Sequence, residues 1–75
     1  MHANEYSAAT PWQVEVDLEL SPRHWFDELG AALFAEACRR EGSLIRFWKD
    51  GMPNSSKEVV RRMWSLAGDD ERPAI

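Results

Sequence analysis

Residues 21–42, SPRHWFDELGAALFAEACRREG, constrain the fold more than any other stretch, because they read as one long amphipathic helix that the other apolar segments need as a partner. Ser21 is a favoured N-cap: its hydroxyl can accept from a free N–H of the first turn, and Pro22 after it gives up no hydrogen bond at the first helical position. Asp27 and Glu28 sit early, where the helix dipole favours anions, and Arg39 and Arg40 sit late, where it favours cations. Gly42 supplies a left-handed stop. Trp25, Phe26, Leu29, Ala32, Leu33 and Ala37 recur at three-and-four spacing and are predicted to form the buried stripe, widened on one flank by Phe34 and Cys38. Glu36 and Arg40 stand four apart in the favourable order. Gly30 is dissonant, since a mid-helix glycine costs about 1 kcal/mol against alanine. Close approach of a neighbouring backbone is the expected reason.

On either side of this helix the pattern changes period. Residues 12–20 alternate strictly, with Val14, Val16, Leu18 and Leu20 on one face and Gln13, Glu15, Asp17 and Glu19 on the other, which is the signature of a half-buried strand. Its inward face is expected against the helix, and its outward row of carboxylates needs solvent or facing cations. Residues 43–49, SLIRFWK, place Ile45 and Phe47 on one face and Leu44, Arg46 and Trp48 on the other. Their aromatic content and the Asp50-Gly51 turn favour a second strand, a short helix being the alternative. Residues 55–67 form a second helix. Ser55 and Glu58 have capping-box spacing, Val59, Val60, Met63, Trp64 and Ala67 point inward, and Glu58 pairs with Arg62 on the wet face beside Lys57 and Arg61.

The predicted class is α+β: a small β-α-β-α domain with two amphipathic helices packed on a minimal two-stranded sheet. A helical crossover of this length permits parallel pairing of the strands. A mostly helical, helix-turn-helix-like arrangement is the alternative. Residues 1–11 read as a flexible lead-in, 12–68 as the single domain, and 69–75 as an acidic flexible tail. Both strands would be sheet edges, and an uncovered edge templates another chain, so a homo-oligomer, at least a dimer, is expected.

A chain of 75 residues makes one domain, and domains of this size bury only about 60% of their unfolded surface. The four tryptophans and 44% hydrophobic content argue for a packed core rather than disorder. Cys38, the one cysteine, excludes an internal disulfide, and no apolar run approaches membrane-spanning length. With no leader pattern at the N-terminus, a reducing cytoplasm and no membrane association are expected.

Catalytic signals are weak. His24 lies within a turn of Asp27 and Glu28, but paired histidines and CxxC pairs are missing, so no metal and no cofactor are expected. Cys38 lacks the electropositive setting of a nucleophile, and no glycine spacing suits a phosphate loop. Charge asymmetry is more informative. Residues 1–37 hold seven acidic and one basic residue, and residues 38–67 hold seven basic and three acidic. Either Arg46 and Lys49 neutralise the first strand across the sheet, or the two signs mark contact surfaces. The order of strand, Ser21-Pro22 and helix resembles ribbon-helix-helix repressors over residues 12–30. Glu15, Asp17 and Glu19 stand where those proteins carry polar or basic DNA-reading residues, and no family is assigned. The expected function is a non-catalytic protein-protein interaction module, a small inhibitor or regulatory accessory, binding a protein partner through Arg46, Trp48, Glu15, Asp17 and Glu19. Tryptophan and arginine are the types that concentrate binding energy. The alternative is a DNA-binding transcriptional regulator using Lys57, Arg61 and Arg62.

Overall fold

Two residue pairs in the left-handed region decide the sheet. Asp17 and Leu18 have φ of 51° and 71°, and Asp50 and Gly51 have φ of 53° and 79°. Two consecutive residues at positive φ make the hairpin turn whose twist matches that of paired strands. Each pair therefore folds its chain back on itself, which doubles the expected two strands. The computed structural model describes residues 5–68. Its elements are β1 (Trp12–Val16), β2 (Glu19–Leu20), α1 (Glu28–Arg40), β3 (Ile45–Lys49), β4 (Met52–Pro53) and α2 (Lys57–Leu66). The expected acidic tail, 69–75, lies outside the described residues.

The α+β class holds, with corrections to the sheet. It has four strands in the order β2-β1-β3-β4, and every pairing is antiparallel. Parallel pairing of β1 and β3 does not occur. The uninterrupted strand over 12–20 is broken at Asp17-Leu18, with Val16 paired to Glu19 and Glu15 to Leu20. Residues 45–49 are a strand, which removes the helix-turn-helix alternative. The inward face of β3 is as expected, with Phe47 buried and Ile45 packed against the core.

α1 is shorter than the sequence suggests. Residues 21–27 are not helical, and the N-cap is Asp27, not Ser21: its Oδ1 accepts from the Gly30 amide at 2.7 Å. A backbone bridge explains the late start. Trp12 and Phe26 exchange both hydrogen bonds, at 2.9 and 2.8 Å, so Phe26 is held as an extended residue beside β1. The buried stripe shifts accordingly to Ala31, Ala32 and Ala35, with the carboxylate-bearing Glu36, while Leu29 and Leu33 are about half exposed at 49% and 50%. Small side chains let α1 lie close to the sheet, and leucines in their place would hold it off.

α2 follows its predicted stripe, with Met63 and Trp64 buried and Val59, Val60 and Ala67 packed against the core. Its cap is Ser56, whose hydroxyl accepts from Val59 N–H, rather than the expected Ser55. Ser55 instead turns to β3, where its hydroxyl bonds both the N–H and the carbonyl of Phe47. Arg62 pairs with Glu28 of α1 at 2.7 Å rather than with Glu58. Arg39 of α1 lies over the Trp64 ring at 4.5 Å and reaches Glu36, which also holds Arg40 at 2.7 Å as expected. Trp12, Phe47 and Trp64 meet edge-on, joining sheet and helices into one core.

Candidate functional site

The core takes the sheet face bearing Trp12, Val14, Val16, Ile45 and Phe47, and so leaves the opposite face to be explained. Antiparallel register puts Gln13 opposite Trp48 and Glu15 opposite Arg46 on that outer face. The Trp48 indole N–H donates to Glu15 Oε1 at 2.9 Å, and Arg46 Nη1 lies 4.0 Å from Glu15 Oε2. Glu15 and Gln13 were expected to be wet, yet they are only 7% and 4% exposed. Trp48 covers Glu15 from the neighbouring strand. The Gln13 amide is tied down by donating from Nε2 to the Ser21 carbonyl at 3.1 Å.

Two further aromatic residues meet each other where the sequence places them in separate segments. Trp25 was assigned to the buried helix stripe. It precedes α1, next to the Trp12–Phe26 bridge, and is half-buried. Its indole donates to the Pro22 carbonyl, and its ring meets Tyr6 edge-on with centroids 4.9 Å apart. Tyr6 was assigned to the flexible lead-in. Its hydroxyl reaches Asp50 Oδ1 at 3.3 Å, and Ser7 and Thr10 close a hydrogen-bonded turn beside it. No local pattern signals either placement, because both depend on contacts distant in sequence.

The other two acidic candidates leave this face. Asp17 sits in the first turn, where its N–H donates to the Leu44 carbonyl and its Oδ1 accepts from the Leu44 N–H. Glu19 pairs with Val16 and so falls on the core-facing side of the sheet, because the two-residue turn reverses the phase of the alternation. Of the five predicted contact residues, Glu15, Arg46 and Trp48 come together, and Asp17 and Glu19 do not join them.

The alternative basic site is divided. Arg62 is held by Glu28, and Lys57 and Arg61 flank a shallow indentation with Ser55, Val60 and Trp64. His24 is exposed, and among the described residues no three His, Cys, Asp or Glu side chains converge as metal ligands would. Cys38 is half-buried. Its thiol is pushed above the ordinary range by burial first, then by the nearby charges of Glu41 and Asp17, the opposite of activation. No helix among the described residues is long and apolar enough to cross a membrane. Comparison with family models, curated proteins and solved structures gives no match.

Proposed function

We propose that this chain is a non-catalytic protein-binding domain, a small inhibitor or regulatory accessory, that contacts its partner through the outer sheet face. The observation carrying this reading is the cluster around Glu15: a nearly buried carboxylate bonded by Trp48 and faced by Arg46, on the side of the sheet opposite the core. Trp25 and Tyr6 form a second, partly exposed aromatic pair. A face turned away from the core needs only polar side chains, whereas large aromatic rings beside arginine are what binding hot spots are made of. Internal bonds hold the rings in place before a partner arrives, so little side-chain freedom is lost on association.

The test compares three variants by melting and by capture of partners from the native host. Phe47→Ala removes a ring that is 1% exposed and should destabilise by about 3–5 kcal/mol through cavity formation. Trp48→Ala should lower stability by only about 1–2 kcal/mol, the worth of one hydrogen bond to a charged group plus modest packing. The same change should weaken the partner complex by roughly 2 kcal/mol or more. Arg46→Gln removes a half-exposed arginine 4.0 Å from Glu15 without adding a like charge, should cost about 1 kcal/mol in stability, and should weaken the partner complex. If Trp48→Ala melts the domain as severely as Phe47→Ala, Trp48 is core and the outer face is not the contact surface.

A further inference from the structure

A second surface lies on the other side of the sheet, at the end where β1 turns into β2. There the hairpin, the loop after it and α1 enclose a groove of about 710 Å³. Its apolar side chains are Val14, Val16 and Phe34, its polar groups are Asp17, Glu19, Ser21 and His24, and Leu20, opposite the outward Glu15, borders it. Among the described residues neither lysine nor arginine lines it. Glu19 is the informative residue. The reversed register sets its exposed carboxylate on the apolar side of the sheet, beside Val16, and it makes no ion pair among the described residues. Between Asp17 and Glu19 stands Leu18, which is 74% exposed and held at a φ of 71°, a conformation leucine rarely adopts. The Asp17 backbone and side chain both bond Leu44, so the turn that carries Asp17 and Glu19 into the groove is fixed.

We infer that this groove docks a segment of a partner polypeptide that presents a lysine or arginine flanked by apolar side chains. A long cationic side chain lays its methylene stem on apolar surface and keeps its charged head in water. Here the stem would lie over Val16 and Phe34, and the head would meet Glu19 and Asp17 at the rim. The volume suits a few side chains rather than a whole domain, since pockets for drug-sized ligands run from roughly 300 to 1,000 Å³. An acidic segment would meet two carboxylates, with no lysine or arginine among the described lining residues to offset them. This surface is separate from the Trp48 face, so either can fail without the other.

The probes are two synthetic hexapeptides, one alternating leucine with lysine and one alternating leucine with glutamate, titrated at physiological salt while backbone amide shifts are followed. The lysine peptide should shift Val14, Val16, Glu19, Leu20 and Phe34, and the glutamate peptide should leave them in place. Glu19→Lys should weaken the lysine peptide at least tenfold while the melting temperature stays near that of the wild type. Equal binding of both peptides, shifts confined to the Trp48 face, absence of any shift, or indifference to Glu19→Lys would each overturn the inference. So would sedimentation showing that the groove is already filled by a second copy in a dimer that Glu19→Lys dissolves.

Discussion

Leu18 sits where the chain would be more stable with glycine. At a φ of 71° its Cβ crowds the following carbonyl, a cost of about 1–2 kcal/mol for an L-residue. The second hairpin solves the same geometric problem with Asp50-Gly51, the residue pair such turns prefer. Burial does not compensate at the first, because Leu18 is 74% exposed. Replacing it with glycine relieves the strain but gives the unfolded chain more freedom, worth about 0.5–1 kcal/mol. The balance predicts that Leu18→Gly stabilises by about 0.5–1 kcal/mol, a rise of a few degrees in melting temperature for a domain of this size. A thermal melt checks it directly. A fall in melting temperature would show that the leucine makes contacts within the fold that outweigh the strain.

At the scale of elements, the start of α1 shows what local sequence hides. Gly30 looked like a helix weakness accepted for a neighbouring backbone, but the neighbour is the helix's own cap. A Cβ at Gly30 would stand 2.9 Å from Asp27 Oδ1, the atom accepting from the Gly30 amide. Gly30→Ala therefore gains about 1 kcal/mol of helix propensity and displaces a cap worth about 1 kcal/mol. The expected net change is near zero, whereas in an Asp27→Ala background the same substitution should stabilise by about 1 kcal/mol. A four-variant denaturation cycle measures the difference, and strict additivity would mean that the cap and the Cβ do not conflict. The buried stripe of α2 was legible from its 3.6-residue periodicity, with Met63, Trp64, Val59 and Val60 where it puts them, whereas in α1 the buried side is Ala31, Ala32, Ala35 and Glu36 and the expected Leu29 and Leu33 are half exposed. The β3 faces were equally legible, and so was the facing of Arg46 to Glu15. The first hairpin was not. A leucine at the turn kept the apolar alternation unbroken from Val14 to Leu20 in sequence while the backbone reversed beneath it. The start of α1 was misread for a different reason, a backbone bridge to Trp12 that no residue type announces.

For the whole molecule, the charge polarity along the chain is largely consumed by the fold. Arg40 is held by Glu36, Arg46 faces Glu15, Arg62 is held by Glu28, Arg39 spans Glu36 and Trp64, and Lys49 lies 5.5 Å from the Trp12 ring centroid. The basic half of the sequence meets the acidic half across strands and between helices. Edge exposure is likewise reduced, because both outer strands, β2 and β4, have two residues each and offer little ladder to another chain. A DNA-reading α2 is left with Lys57 and Arg61 as cations not tied to α1. Each phosphate contact contributes a slope of about −0.9 to the logarithmic salt dependence of duplex binding, so two contacts give about −2. A domain with net charge −4 also approaches DNA against repulsion. Duplex binding should therefore be weak, indifferent to sequence and lost at physiological salt, as mobility shifts over a salt series would show. A submicromolar, sequence-dependent shift with a slope of about −3 would require a third phosphate contact, and would mean that Arg62 leaves Glu28 to join a nucleic-acid surface.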